Sequence, residues 1–553
     1  MIIFAKTFHN NRKQKMKTTT KNIKTINSNF YNVRLTVVCF ALFFTHILCA
    51  NTFYVATTGS NSNTGSSANP WLTIQYAANH IASGDTVIVN SGTYNERVTI
   101  NTAGSANHPI VFLAQPSRTV YMNGFLVAAS YNHIEGFDIT STTSGYQGGG
   151  IWVAANYITM IDNFLHNILG AAIGGTWGAL SIQPRHIYIA HNYFLLNDEG
   201  IDAQGFNWLI EYNEIERPLF AGLAGDYTRF FGDSITFRHN YFHGARVAEI
   251  GGAHTDGFQF FDNAGDFATN IVIEDNYVES FDQGVILEST DTAGSTSNII
   301  IRNNVFVGGE IGGAWGVCVK DNIRHGLYIV NNIFKNFEYH GVGLEVNSSG
   351  VVQNNIFLNA GSNYWADATS TVVGGYNLIS HTSYPNYSVP TDLLNTNPML
   401  VDTANFIGAD SLPFTSDDGY HLQSSSPAIN AGTSTFIYGV TNDIFGTMRP
   451  QGSSYDIGPV EFSILNQVNN VQSTNEISIA PNPFSNSTTI TLPTTNNQQL
   501  ITIIITDVLG KKIRAINFTG KQYIIDKGDM EQGIYFITIN SEQGITNRKV
   551  VIQ

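Results

Sequence analysis

Charged residues are scarce in this chain, only 12% of 553, while glycine, asparagine, serine and threonine abound. That composition suits many tight turns and argues against long surface helices. Cysteine is almost absent. Cys39 and Cys49 sit in an N-terminal apolar run, which leaves Cys318 alone and excludes an internal disulfide in a processed chain. Basic residues are few beyond the start. Residues 1–34 hold eight Lys or Arg and no acid, so without residues 1–50 the chain has 19 basic against 42 acidic residues, a net charge near −23. Nucleic acid is thereby excluded as an expected partner. No apolar stretch is long enough for an ordinary membrane span. The run "LTVVCFALFFTHILCA" (35–50), behind its basic leader, reads as a secretory signal peptide cleaved near Ala50, with Met16 an alternative start.

What is present is a repeat. Short β-branched runs each end in asparagine, at Asn163, Asn192, Asn213, Asn240, Asn276, Asn304, Asn332 and Asn355, with intervals of 29, 21, 27, 36, 28, 28 and 23 residues. A period in this range marks a solenoid, and runs this short are strands. The expected fold is all-β: a coil of parallel strands, one asparagine per turn, with the asparagine amides bonding from rung to rung. Such a core grows in one dimension, which accommodates the chain's length.

The coil needs its open end covered. Residues 53–100 supply a strand, a polar loop and a short helix near 72–82, with Leu72, Ile74, Ala77, Ala78 and Ile81 as its apolar face. "YVATTG", "PWLTI", "GDTVIV" and "GTYNE" in this stretch resemble the opening of right-handed parallel β-helix proteins related to pectate lyases. Residues 381–462 resemble the closing segment of such proteins. Within it Asp410, Asp417 and Asp418 read either as a calcium loop or as a solvated turn. Residues 463–475 read as a linker. Residues 476–553 alternate apolar and polar positions, as in a small β-sandwich. Their Pro481-Asn482-Pro483-Phe484, Asp507 with Leu509-Gly510, Gly533-Ile534-Tyr535-Phe536 and Lys549-Val550-Val551 resemble the C-terminal sorting domain of the type IX secretion system of Bacteroidetes. The domains are therefore a signal peptide (1–50), a β-helix (51–462), a linker (463–475) and a sorting domain (476–553). The resemblance implies a monomer handled by type IX secretion machinery and released or held at the cell surface.

One strand per coil follows a glycine: Gly200, Gly257, Gly284, Gly316 and Gly341. The first and third residues after each glycine are apolar and point inward. The second and fourth point outward, which places Asp202, Gln204, Gln259, Glu288, Lys320 and Glu345 on one outer face. Glu288, Lys320 and Glu345 should stack vertically. Asp256 and Asp282 lie at the upstream corner. The longest interval, 240–276, adds His243, Arg246, Glu249 and His254, and a long loop over a rigid polar face is where function gathers. Trp152, Trp208 and Trp315 are candidates for stacking on sugars.

"HTDGFQFF" followed by "SFDQGVILES" resembles two families. Polygalacturonase-type hydrolases carry Asn-Thr-Asp-Gly and then Asp-Asp. Calcium-dependent pectate lyases carry Asp-Gly, then Asp-Asp-Gly, then a lysine. Asp256, Asp282 and Lys320 follow the second order, and Gln283 replaces one aspartate in both. The resemblance implies Ca²⁺ on Asp256 and Asp282, with Lys320, Asp256, Asp282, Glu288, Arg246 and His254 in catalysis. Gln259, Glu345, Asp202, Gln204, Trp315 and His243 would bind a polysaccharide. The expected activity is β-elimination on a uronic-acid-containing glycan. A glycoside hydrolase using Asp256, Asp282 or Glu288 as acid and base, and a non-catalytic glycan-binding solenoid, remain alternatives.

Overall fold

A computed structural model describes residues 50–141, 149–175, 183–220, 225–251, 253–262, 265–289, 295–311, 313–323, 325–381, 388–435, 439–463 and most of 478–552. The bulk of the expected signal peptide and of the expected linker lies outside the described residues.

Among the described residues, thirty-three strands join in one hydrogen-bonded system. Each coil contributes to three parallel sheets. The first sheet contains Ala171–Gly175, the opening halves of Glu199–Glu211 and Thr228–Arg238, then Asp256–Phe261, Gln283–Glu288, Trp315–Lys320, His340–Leu344 and Ser362–Ala366. The second includes Arg185–Ala190, Ala268–Glu274 and Thr296–Arg302. The third includes Tyr193–Leu195, Glu214–Glu216, Tyr241–His243 and Tyr277–Glu279. Ile201, Ala203, Phe258, Phe260, Val285, Leu287, Val317, Val319, Val342 and Leu344 all reach zero exposure in one continuous core. That is the alternation expected from the glycine phase.

The glycines are explained by the close stacking of coils. A Cβ on Gly257 would lie 2.5 Å from the Gly284 carbonyl oxygen, and one on Gly316 would lie 2.4 Å from that of Gly341. The asparagines turn the corner between the second and third sheets. The residue before each is left-handed, with φ of 51° to 59° from Asp162 through Tyr376. Each asparagine is buried, and its Nδ2 donates to Oδ1 of the next at 3.0 Å from Asn163 to Asn355. The ladder runs on through Asn377 and ends on Asp392 Oδ1.

Helix α1 (Ile74–His80) covers the open end, burying Ile74, Ala77 and Ala78. Both carboxylate oxygens of Glu96 accept backbone N–H groups from its first turn, at Ile74 and Gln75. Leu72, expected on the apolar face, is instead exposed, because it precedes the N-cap Thr73.

The closing segment does more than end the coil. Leu400, Phe406, Tyr420, Leu422, Ile444, Ile457 and Val460 pack on the outer face of the third sheet, against Tyr241, Tyr277, Val305, Ile333 and Ile356. Asn303 and Asn331, two of the left-handed corner residues, donate side-chain bonds to its carbonyls at Asn442 and Gly458. A fully buried Arg449–Glu461 pair (2.9 Å) braces it from within. Of the two readings of its acidic loop, the hydrogen bonds support the turn. Asp410, Asp417 and Asp418 accept the N–H groups of Leu412, Ala409 and Thr415, so these carboxylates are engaged in forming turns. Residues 478–552 form a three-stranded and a four-stranded antiparallel sheet around a core of Ile490, Ile503, Ile505, Ile537 and Ile539.

Candidate functional site

The register of the first sheet sets two outward columns side by side. One runs Glu199, Asp226, Asp256, Gln283, Trp315 and His340. The other runs Gly174, Asp202, Arg229, Gln259, Ile286, Cys318, Gly343 and Trp365. Where three coils follow one another, acids accumulate. Glu199, Asp202, Asp226 and Asp256 all have zero exposure.

Arg229 is the buried cation among them. Its Nε and Nη2 bond Asp226 Oδ2 at 3.0 and 2.9 Å, and its Nη1 is 3.8 Å from Glu199 Oε2. The other oxygen of Asp226 accepts the Asp256 backbone N–H at 2.9 Å. Asp256 Oδ2 meets His254 Nδ1 at 3.0 Å and accepts Gln259 Nε2 at 3.0 Å. Gln204 Nε2 donates to Asp202 Oδ2 at 2.8 Å. Both oxygens of Glu199, Oδ1 of Asp202 and Oδ1 of Asp256 are buried without a hydrogen-bond partner. An unpaired buried carboxylate oxygen is costly, so a cluster with four of them either holds protons or takes a cation.

The same burial raises the acids. Desolvation pushes Glu199 well above the usual carboxylate range, with Asp202 adding to it, and lifts Asp202 and Asp256 to about 7. Asp226 is raised by burial against the pull of Arg229. His254 rises to about 9, first through its hydrogen bond to Asp256. Its ring is half exposed, so it is the part of the cluster open to a ligand. The donors are almost all carboxylate oxygens, the set preferred by a hard cation such as Ca²⁺. Asp226, His254 and Asp256 present ligand atoms within 4.8 Å of one another.

The structure redistributes the residues expected at the site. Asp256, His254, Gln259, Asp202 and Gln204 come together. Asp282 is half-buried and raised by desolvation. Its backbone ties coils, since its N–H donates to Thr255 and its carbonyl accepts from Ala314 and Trp315. Asp226, from the preceding coil, accepts the Asp256 backbone N–H, while the charge of Asp282 acts on both Asp256 and His254, so the pair expected to hold a metal has a further acid on its upstream side. Lys320 and Glu288 are register partners, and the Glu345 N–H bonds the Val319 carbonyl, so the expected stack exists. Its members Glu288, Lys320 and Glu345 lie one, two and three rungs (about 5, 10 and 14 Å) from Asp256, and each is five residues (about 16 Å) along its strand. Lys320 and Glu288 therefore do not meet the carboxylates. Arg246 is exposed at the start of α2 (Val247–Ile250) and makes no cap bond. His243 belongs to the third sheet, where it bonds Glu214 at 3.0 Å and stacks on Tyr241, on a different face from Asp256. Trp208 is a core residue and Trp152 is buried, its ring lying against Gly174. Trp315 is half-exposed.

Glu199 and Asp226 were not anticipated. The signal was present: each directly precedes its strand's corner residue, as Asp256 precedes Gly257. In the coil of Asp226 that corner residue is Tyr227, not glycine. Its ring is fully buried, and its hydroxyl reaches the Glu279 and Ser280 carbonyls and the Ala245 N–H.

Comparison with known proteins agrees with this architecture. Residues 53–217 match the family model "Pel9A-like, right handed beta helix region", and residues 478–553 match "Secretion system C-terminal sorting domain". An uncharacterized protein, YwoF of Bacillus subtilis (strain 168), is 33% identical over 75 residues, which are 14% of this chain and 16% of that protein. Among solved structures, pectate lyase Pel9A is 18% identical with a TM-score of 0.44, over 75% of this chain and 96% of its own. The complex of XylC with xylose is 12% identical with a TM-score of 0.48, over 74% and 98%. The alginate lyase AlyGC is 15% identical with a TM-score of 0.43, over 68% and 57%. Residues 478–553 are a type IX secretion C-terminal sorting domain, the coils before it form a right-handed parallel β-helix, and the protein is secreted or attached to the cell surface.

Proposed function

We propose that the protein acts on an extracellular polysaccharide containing uronic acids and cleaves it by β-elimination at the Glu199–Asp202–Asp226–Asp256 cluster. One observation carries the reading: four fully buried carboxyl groups, three of them (Glu199, Asp202 and Asp256) with unpartnered oxygens, opening beside His254 on the outer face of the first sheet. The donor set fits Ca²⁺, with Glu199, Asp202 and Asp256 supplying the free oxygens. A cation held there supplies charge to offset a uronate carboxylate, which makes the proton on the adjacent carbon more acidic.

The chain's own residues do the rest. Arg229 fixes Asp226, and Asp226 fixes the Asp256 backbone, so the cluster is preorganised. Asp256 and Gln259 are bonded to each other, and Asp256 holds the His254 ring through Nδ1. That leaves Nε2 to handle a proton at the substrate. In the reaction Nε2 of the neutral His254 ring takes the proton from the carbon next to the carboxylate, the adjacent C–O bond breaks, and the ring returns that proton to the leaving oxygen. A C=C bond forms.

The hydrolase reading has one observation in its favour. Carboxyls raised to about 7 at Asp202 and Asp256 are the kind of group that serves as a general acid. A panel of uronate-containing and neutral glycans separates the two. Elimination gives an ultraviolet-absorbing unsaturated product and stops in EDTA. Hydrolysis gives reducing ends without absorbance. Neither product from any glycan would overturn both.

A further inference from the structure

Beyond the acidic cluster, the same outer face carries a group of aromatic rings that the cluster's chemistry does not use. Trp315 lies in the column of Asp256, two coils on, and His340 follows it. Trp365 lies in the column of Asp202, beside Gly343. A Cβ on Gly343 would be 2.0 Å from the Trp315 ring, so the missing side chain is what lets this indole lie across the strand. His340 is 4.5 Å from Trp315 and stacks on Trp365 at 5.3 Å and 9°. Tyr339 lies 6.4 Å from Trp315 and is 53% exposed. The segment that seals the third sheet packs elsewhere and leaves Tyr339 open.

We propose that Trp315, Tyr339, His340 and Trp365 form a stacking subsite for the C–H face of a pyranose ring in the same polysaccharide chain that the acidic cluster engages. The proposal rests on the polysaccharide reading above and adds where a second sugar sits. Two relationships select this occupant. Trp315 and His340 lie in the column of Asp256, two and three rungs on (about 10 and 14 Å), and Trp365 lies in the column of Asp202, four rungs beyond the coil of Asp256 (about 19 Å). A glycan lying along the solenoid axis therefore meets both cluster and rings. The strands His340–Leu344 and Ser362–Ala366 contain no Lys or Arg, and Lys320 stands five residues (about 16 Å) along its strand from Trp315, so no Lys or Arg of these three strands lies beside the rings. This end of the face offers flat, amphipathic ring surface, which suits the apolar side of a sugar. The face is thus divided into an end that handles charge and an end that holds a ring, and the subsite favours chains long enough to span both.

Binding is measured in EDTA with the whole secreted protein, so that elimination plays no part. Size-graded oligosaccharides from polygalacturonate, alginate and xylan digests are titrated while tryptophan fluorescence and calorimetric heat are followed. Removing Trp315 uncovers Gly343, so Trp365→Ala and Tyr339→Ala carry the test, each first shown to unfold at the wild-type temperature. The expected result is a fluorescence change on binding of one oligosaccharide series. Each variant should weaken its longer members about three- to tenfold and leave the shortest unaffected. Wild-type affinity in both variants at every length, or no oligosaccharide binding at all, would overturn the subsite. Wild-type binding with loss in the variants, but no calcium-dependent unsaturated product, would uphold the subsite and overturn the lyase reading.

Discussion

Asp226 and Asp256 occupy the same position on successive coils, and Oδ1 of the first accepts the backbone N–H of the second at 2.9 Å. With its other oxygen on Arg229, Asp226 links two rungs and a cation. Arg229→Ala should therefore cost about 3–5 kcal/mol, because it leaves two buried carboxylates without their partner. Thermal or urea unfolding in EDTA measures this, and an unchanged midpoint would contradict the assigned role.

Asp202→Asn should act in the opposite direction. Burial lifts Asp202 to about 7 from 3.8, so at alkaline pH its ionised form is held at a loss. Without metal the variant should gain about 1–3 kcal/mol above neutral pH. It should also lose most of the upward shift in Tm that Ca²⁺ gives the wild type. Differential scanning calorimetry with and without Ca²⁺ reads both effects.

The pH dependence of the metal-free protein follows from the same groups. Asp202 and Asp256 stay protonated in the fold up to about 7, whereas the unfolded chain releases these protons near 3.8. The folded state binds more protons across that window, so stability falls as pH rises through it. His254 adds stability that is complete below 6.5 and lost as pH climbs through about 9. Metal-free Tm should be higher at about pH 5 than at about pH 8, and stabilisation by Ca²⁺ should be larger at the higher pH. A Tm in EDTA that rises between these values would contradict the assignment.

His254→Ala should lower kcat by about a hundredfold or more, the usual size of an acid–base contribution. Lys320→Ala should stay within about twofold of wild type, because two coils and five residues separate it from Asp256. Initial rates of unsaturated product formation compare the two. A severe Lys320 defect beside a mild His254 defect would reverse the assignment.

Asn276→Ala probes the ladder. Oδ1 of Asn276 accepts both the backbone N–H and Nδ2 of Asn240, while its Nδ2 donates to Asn304 and to the Phe237 and Glu274 carbonyls. Truncation strands these buried groups and should cost about 3–5 kcal/mol. A urea melt showing a loss under about 1 kcal/mol would contradict this.

The coil was legible in the sequence because asparagine and glycine each answer one local demand. Asn240 fills a corner that only a short amide satisfies, and Gly257 passes too close to Gly284 for any side chain. The strand phase followed, and with it the outward position of Asp202 and Gln259. The centre of the cluster was harder to see. Tyr227 stands where the pattern expects glycine, so the coil carrying Asp226 and Arg229 escaped alignment. Lys320 looked like a partner of Asp256 because one coil's spacing suggests proximity. Sequence distance does not show that it lies at the far end of its strand. The packing of the closing segment along the third sheet was also hidden, since it depends on apolar outer positions such as Tyr277 and Ile333 that read as ordinary strand residues.

The asparagine ladder has a direction. Every amide donates forward and accepts from behind, so any two neighbouring coils meet through the same chemical joint. Asp392 interrupts that grammar: a carboxylate accepts the bond from Asn377 and has no amide to pass one on, and its second oxygen is taken by Tyr364 and the Val389 N–H. The solenoid thus behaves as a polymer with interchangeable monomers and a chain terminator. Whole coils can be duplicated or deleted inside the array without altering the joint, while its length is set by where one amide gives way to an acid.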